Sequence, residues 1–428
     1  MCTAGRYRFP TFRGSKRVEA MTDIIRPRDE DDVAAAIHWA AAEGKSLEII
    51  GHGSKRGIGR AAQWDLTLDL SALRGVTLYE PEELVLSARV GTPLSEIAAL
   101  LADHGQELAF EPMDYAPLLG GPAAQATLGG VLATNSCGPR RLKAGAARDH
   151  FLGVSATSGR AERFKSGGRV VKNVTGYDLC KLLAGSWGTL AAMTEVTVKV
   201  LPRAETTATL ICLGLSDAVA VKAMAAAAGS PAEVSGAAHV PAAVASGLPP
   251  AAENHDALTA FRLEGVPPSV AQRSRTLAAV LADFGKPQPI DDAASRALWQ
   301  AIRDVTPFAV PQALSRPLWR VSTAPMKGPQ IAAQITAACA AAQVIYDWAG
   351  GLMWIMLAES GDAGAPAVRR VIHAAGGHAT LVRAPASVRA SVDVFEPQDP
   401  ALAALTRRVK ASFDPQRVLG PGRMYAGV

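Results

Sequence analysis

The pentapeptide Gly51-His52-Gly53-Ser54-Lys55 follows the short apolar run Leu47-Glu48-Ile49-Ile50. Glycine accepts positive φ and lets the backbone approach a ligand closely. A strand feeding such a loop therefore turns successive N–H groups toward an anion. Ser54 adds a hydroxyl and Lys55 a charge, which together describe a phosphate nest. An isolated Gly-x-Gly is more often an ordinary tight turn, but two further glycine segments accompany this one. The first is Thr127-Leu128-Gly129-Gly130-Val131-Leu132-Ala133-Thr134-Asn135, followed by Gly138-Pro139-Arg140-Arg141 and Arg148-Asp149. The second is Gly185-Ser186-Trp187-Gly188-Thr189-Leu190, with Glu195-Val196-Thr197 beyond it. Three glycine loops, each beside a short strand, suit a long dinucleotide lying in a groove between two small subdomains.

Elements that position these loops are legible around them. Arg26-Pro27, then the acidic stretch 29–32 and the apolar-periodic 33–42, reads as a strand, a helix N-terminus and a helix ending at Gly44. Strands are expected at 47–50, 66–70 and 83–90, and Gly91-Thr92-Pro93 opens a helix over 94–104. The run 112–168, rich in Gly, Ala, Pro and Arg, is too long for an ordinary connection and is expected to wrap around something. Residues 194–200 alternate as a strand, and Pro202 marks the domain boundary. Beyond it, helices at 217–228, 270–284 and 330–342 alternate with strands at 208–213, 259–264, 318–322, 344–348, 353–357 and 379–383, which suits an α+β cap. A last helix is expected at 401–411. The expected division is a disordered tail over 1–20, a first domain over 21–203, a cap over 204–411 and a segment, 412–428, returning to the first domain.

Composition narrows the function classes. With 428 residues and 49% hydrophobic content the chain buries a core large enough for two domains. Basic residues outnumber acidic ones only 44 to 39 and are scattered, so nucleic acid is not favoured as a partner. Arginines meeting an anionic cofactor, an anionic substrate or a partner subunit explain the balance equally well. Cys2, Cys137, Cys180, Cys212 and Cys339 show no close pairing of the kind that holds zinc or an iron–sulfur cluster. The chain therefore reads as reduced and cytoplasmic. The most apolar stretch, 344–357, contains Asp347 and is too short to span a bilayer. Residues 1–20 are polar and basic without an apolar core, so they are read as a tail or as an extension ahead of an initiator at Met21.

The order Gly51-x-Gly53-Ser54, Gly91-Thr92, Thr127-Leu128-Gly129-Gly130, Arg148-Asp149 and Gly188-Thr189-Leu190 with Glu195-Val196 resembles the FAD-binding domain of the vanillyl-alcohol oxidase/p-cresol methylhydroxylase (PCMH) family. Within that family, Val171-Lys172-Asn173-Val174-Thr175-Gly176-Tyr177-Asp178-Leu179, Pro317-Leu318-Trp319-Arg320, Gly376-Gly377-His378-Ala379-Thr380 and the ending Phe413-Asp414-Pro415 to Pro421-Gly422-Arg423 are similar to the FAD-binding E subunits of glycolate oxidases (glycolate dehydrogenases). The resemblance runs from Ile25 to Tyr425. It implies an α+β fold: a PCMH-type FAD-binding domain of two α/β subdomains, followed by a smaller α+β cap.

The same resemblance implies that Gly51, His52, Gly53, Ser54 and Lys55 hold the FAD pyrophosphate. Pro112, Thr127, Gly129, Gly130, Thr134 and Asn135 would lie near the flavin, and Glu195 and Val196 by the adenine or ribose. Arg148, Gly188 and Thr189 complete the expected cofactor set. His52 stands between the glycines rather than after the second, where covalent members carry the flavin-linked histidine. FAD is therefore expected to bind non-covalently.

Oxidising a 2-hydroxy acid requires a cation for the carboxylate, a base near the hydroxyl and the α-hydrogen aimed at the flavin. Arg320 and Arg383 lie on expected strands where one face can turn toward the flavin, with surface charge as the equal alternative, and His378 is the third catalytic candidate. His373 and His378, five apart, lack companions for a metal site, so no metal is expected. The resemblance further implies a complex that oxidises glycolate to glyoxylate. Its other members would be a second FAD-binding subunit and an iron–sulfur subunit through which electrons leave. Such a chain would be cytoplasmic, without a membrane span, and would reach the inner face of the membrane peripherally through the complex. Two other readings stay open. One is a stand-alone FAD oxidoreductase acting on another 2-hydroxy acid or alcohol, and the other is a non-catalytic assembly subunit.

Overall fold

Asp29 accepts a hydrogen bond from the Asp32 backbone and so caps the helix Glu30–Ala42, whose Val33, Ile37 and Ala40 are buried. The computed structural model describes residues 23–169, 176–248 and 256–428; the expected tail and part of the motif at 171–179 lie outside the described residues. The capped helix joins β1 (Asp23–Ile25) to β2 (Leu47–Ile50), and with β3 (Leu66–Asp69) these strands form a parallel sheet in the order β1-β3-β2. β3 is buried along its whole length, as the middle strand of a covered parallel sheet must be.

β4 (Val76–Glu80), β5 (Val85–Arg89), β6 (Gln106–Glu107), β7 (Phe151–Ser158), β8 (Arg163–Gly167), β9 (Ala191–Lys199) and β10 (Leu201–Pro202) follow. Five of them make an antiparallel sheet, β4-β5-β9-β7-β8, while β6 and β10 pair with each other. The expectation of an irregular run over 112–168 needs correction here. β7 lies inside the sheet between β9 and β8, and short helices occupy Leu128–Ala133, Arg141–Ala144 and Ala147–His150. Gly153, Ser155 and Ala156 carry little strand propensity, so β7 is specified by packing under its neighbours rather than by local preference.

The second unit is built on β11 (Thr206–Leu213), β12 (Gly236–Val240), β13 (Leu258–Gly265), β14 (Gln288–Ile290), β15 (Leu318–Ser322), β16 (Gln343–Asp347), β17 (Leu352–Met356) and β18 (His378–Arg383). They form one antiparallel sheet in the order β14-β11-β13-β12-β16-β17-β15-β18. Helices Asp217–Ala228, Pro267–Leu281, Gly328–Ala338 and Ala365–Ala375 cover one face through Met224, Leu277, Ile335 and Ile372. Ile58, Met113, Tyr115 and Leu118 of the first unit join the core on the other face. Register across β15 and β18 sets Arg320 opposite Thr380 and Ser322 opposite His378.

The helix Pro400–Phe413 is back on the first unit, with Phe413 against Phe164. The buried Lys410 ammonium donates to the carbonyls of Thr189 (2.6 Å) and Leu419 (2.7 Å) and to the Asp414 carboxylate (2.8 Å). Asp414 in turn accepts from the backbones of Val418 and Leu419. The final segment then pairs with β2, Leu47 donating to the Val418 carbonyl and Gly420 to the Leu47 carbonyl.

Candidate cofactor site

β2 runs directly into the loop at 51–56. Gly53 has φ of 75°, and nothing lies within 4 Å of where its Cβ would stand, so glycine there answers to backbone conformation rather than to crowding. Gly51 and Gly129 are different. A Cβ at Gly51 would lie 2.7 Å from Thr127 Oγ1, and one at Gly129 would lie 2.5 Å from Val90 Cβ. Thr127 caps the helix Leu128–Ala133 by accepting from the Gly130 backbone at 3.3 Å. Gly51 thus lets the loop approach this helix start across a narrow groove, and Gly129 lets the helix pack on Val90.

Lys55 is buried beside them. Its Nζ reaches Ser54 Oγ at 3.4 Å, sits 6.0 Å from the Tyr115 ring and has no carboxylate in ion-pair contact among the described residues. Burial pushes its amine down to about 8, with Asp114 opposing. A buried ammonium beside a glycine loop, with no carboxylate in contact among the described residues, fits a phosphate.

From this waist the groove continues in two directions. One end is apolar, walled by Leu70, Val90, Ala191 and Met193. The other passes Thr134 and Trp187 into a chamber of about 500 Å³, bordered by Tyr115, Asn135, Cys137, Trp348, Thr380 and Phe395 among others. Trp187, held at φ of 56°, borders all three parts. An apolar end, a cationic waist and an aromatic chamber match an adenosine, a pyrophosphate and an isoalloxazine in turn.

Arg320 enters the chamber from β15 with no ion pair among the described residues, its guanidinium 5.0 Å from the Trp348 ring and 6.0 Å from that of Trp354. Arg141 comes from the first unit and lies 5.8 Å from the same Trp348 ring, with a half-exposed Asp149 at 3.4 Å. The Trp348 indole donates to the Gly138 carbonyl (3.0 Å) and its backbone N–H to Asp347 (2.7 Å), whose carboxyl burial pushes up to about 7. Trp348 and Ala349 both have positive φ, a strained turn of the kind that clusters at ligand sites. Among the described residues no acidic side chain lines the chamber, so its field favours an anion.

The expected site residues divide. The groove brings together Gly51, His52, Gly53, Ser54, Lys55, Thr127, Gly129, Gly130, Thr134 and Gly188, and the chamber gathers Asn135, Arg320 and His378. Pro112 instead lines a separate cleft of about 640 Å³ with Glu111, Arg140 and Arg303. The Arg148 side chain is exposed; only its backbone N–H contributes, donating to Asn135 Oδ1 at 2.9 Å. Thr189 closes its own turn on the Ser186 carbonyl and lines no part of the groove. Val196 is wholly buried in the core and Glu195 pairs opposite Ser155, while Met193, two residues earlier, reaches the groove. Arg383 is the clearest correction. All five of its N–H groups are spent, on the carbonyls of Arg316, Leu118, Phe308 and Ala313 and on the Met356 sulfur, so none is left for a substrate. Trp187, Arg141 and Trp348 line the chamber although their residue types alone do not mark them out. The Gly-Trp-Gly spacing at 185–188 is the available signal for Trp187. Among the described residues no three His, Cys, Asp or Glu side chains gather as a metal site.

Two outcomes follow from this geometry. FAD bound here is expected to be released entirely into the supernatant on acid precipitation, because His52 lines the cationic waist beside Lys55 and not the aromatic chamber; flavin colour retained on the denatured chain would refute this. FAD affinity is also expected to depend on pH through Lys55. The free groove holds its amine near 8, and a neighbouring phosphate favours the ammonium, so binding takes up a proton above that pH. Affinity should be flat below pH 7 and fall by up to about tenfold per unit above pH 8, as read by fluorescence titration. For the apoprotein the sign is opposite: burying the charged amine costs stability below pH 8, and that cost disappears as pH rises toward 10.5.

The FAD binding domain family matches residues 22–166. Over 391 residues the chain is 32% identical to the glycolate oxidase subunit GlcE of Escherichia coli K12, covering 91% of this chain and 95% of that protein. It is 27% identical over 205 residues to the glycolate oxidase subunit GlcD of Bacillus subtilis, covering 47% of this chain and 42% of that protein. Among solved structures, p-cresol methylhydroxylase with substrate bound superposes with a TM-score of 0.75 at 13% identity, over 94% of this chain and 88% of that one, a likeness of fold.

Proposed function

Since the chain belongs to the family of FAD-binding oxidoreductases that includes the glycolate oxidase subunit GlcE, we propose that it is the FAD-binding subunit of a complex that oxidises glycolate to glyoxylate and passes the electrons to an iron–sulfur partner. The observation that carries this reading is Arg320, a guanidinium without an ion pair among the described residues, in a chamber lined by no acid, where the groove ends. When bound, FAD supplies a two-electron acceptor. The chain's own residues bind and orient the substrate. Arg320 holds the carboxylate, while Ser322, Thr380 and His378, on facing strands, line the place where the α-hydroxyl would lie. His378 is the imidazole placed to accept the hydroxyl proton. Trp348, Trp187, Tyr115 and Phe395 keep the chamber aromatic and poor in water.

Relatives named as two different subunits of glycolate oxidase support the need for a second FAD-binding chain. No helix among the described residues is long and apolar enough to cross a membrane. We place the complex in the cytoplasm, meeting the inner face of the membrane peripherally. An intact, cationic groove speaks against a flavin-free assembly role.

Arg320→Ala in the co-expressed complex tests the reading. A lost charge-assisted bond to carboxylate should raise KM for glycolate roughly tenfold to a hundredfold while flavin content stays normal. An unchanged KM removes Arg320 from the site, and a flavin-loaded complex inert toward glycolate removes that substrate.

A further inference from the structure

We propose that Arg423, from the far C-terminal end of the chain, is a pyrophosphate-binding cation of the FAD site. It borders the same stretch of groove as Gly51, Gly53, Lys55, Thr127 and Gly130. Its backbone is fixed there: the Arg423 N–H donates to the Gly420 carbonyl, and the Arg423 carbonyl accepts from Arg60 at 2.9 Å. Gly59 permits this approach, since a Cβ there would stand 3.0 Å from the Arg423 carbonyl. Arg423 thus belongs to the phosphate loop in space although 368 positions separate it from Lys55 in sequence.

The side chain is buried but poorly satisfied. Nη2 reaches the carbonyls of Lys55 and Ile58 only at 3.3 and 3.4 Å, Nη1 lies 3.5 Å from Glu48 Oε1, and Nε has no partner among the described residues. The rings of Trp64 and Trp187 are each 5.8 Å from the guanidinium and limit where it can move. A buried guanidinium with a free donor is costly unless something anionic completes it.

Charge balance identifies that anion. Lys55, Arg56 and Arg423 bring three positive charges to this stretch, and among the described residues no acidic side chain lines it. Behind it, Glu48 is buried and engaged by the Arg56 guanidinium, with Nε donating at 2.7 Å. Even with Glu48 engaged by Arg56 and Asp114 acting on Lys55 through space, the cations here outnumber the carboxylates, an excess that suits the charged pyrophosphate of a dinucleotide. Burial pushes both Lys55 and Arg423 below their ordinary values, as expected for cations awaiting an anion. Were Arg423 only the partner of Glu48, it would make the short contacts that Arg56 makes. The sequence segment Pro421-Gly422-Arg423 then has a function: the cofactor fastens the end of the chain to the loop at 51–56.

The inference rests on FAD occupying this groove and not on the identity of the substrate, so wild-type FAD binding is measured alongside and tests that premise separately. FAD is titrated into apoprotein at low and high salt, with flavin fluorescence as readout, for wild type, Arg423→Met and Arg423→Lys. Arg423→Met should bind FAD on the order of tenfold to a hundredfold more weakly and show a shallower salt dependence. Arg423→Lys, which keeps the charge, should retain the wild-type salt dependence and bind within about tenfold of wild type. Wild-type affinity in Arg423→Met overturns the proposal. So does weakened binding with an unchanged salt slope, which marks a packing role. If Arg423→Met fails to fold, Arg423→Lys decides alone: loss of its salt dependence or of FAD binding refutes the electrostatic assignment.

Discussion

A Gly53→Val protein is expected to fold and yet lose its FAD. The open space around the Gly53 Cβ position means that a side chain would not clash. What valine cannot do cheaply is hold φ at 75°, which costs a β-branched residue roughly 1–3 kcal/mol. The loop can relieve that strain by turning the peptide over, because it is partly exposed and leads away from β2. Turning it over swings N–H groups away from the anion, so FAD affinity should drop by about a hundredfold or more while the melting temperature moves only a few degrees. Gly53→Asn, a residue that tolerates left-handed backbone, should fall between valine and wild type. Gly129→Ala supplies the contrast: its Cβ would meet Val90 Cβ at 2.5 Å inside the core, so loss of fold rather than selective loss of flavin is expected. The measurements are bound flavin per chain and far-UV circular dichroism. Normal flavin content in Gly53→Val would remove the loop from the cofactor site.

The second large effect concerns assembly. Purified, FAD-loaded chain is expected to oxidise glycolate with a dye acceptor at least roughly a hundredfold more slowly than the co-expressed complex. The chamber offers a cation for the carboxylate, but for the α-hydroxyl it offers His378, an imidazole at the exposed edge of β18 with no carboxylate among the described residues hydrogen-bonded to it to orient it. A well-placed general base contributes about a hundredfold to ten-thousandfold, and an imidazole that nothing orients falls well short of that. The natural acceptor raises the same need. Cys180 lies on the helix Leu179–Leu183, Cys212 on β11, Cys339 just past the helix Gly328–Ala338 and Cys137 in a loop, and among the described residues they gather into no cluster that could hold an iron–sulfur centre. Turnover by the single chain close to that of the complex would sink the subunit reading. Loss of that turnover in Arg320→Ala would then place the whole active site in this chain.

Much of the cofactor groove is legible in the sequence because its determinants are local. A glycine at positive φ, a threonine cap and a strand ending at Ile50 are properties of a few consecutive residues, and helices such as Asp217–Ala228 announce themselves by their alanine content. β12, reading Gly-Ala-Ala-His-Val, carries no such signal. It is a strand because β13 and β16 flank it and leave its backbone no other partners.

Side-chain roles separate in the same way. Arg320 and Arg383 look alike in sequence, each near the middle or end of an apolar strand. Arg320 faces an acid-free chamber, whereas Arg383, set opposite Leu318 where the β15–β18 register shifts, is sealed among carbonyls. The meeting of Arg141 and Arg320 at Trp348, and of Arg423 with Lys55, joins residues far apart along the chain. Residue types and local spacing thus determined the glycine loops that suit an anionic dinucleotide. Which cations face the groove was decided by sheet register and by the return of the C-terminal segment to β2, since long-range neighbours depend on how whole elements stack.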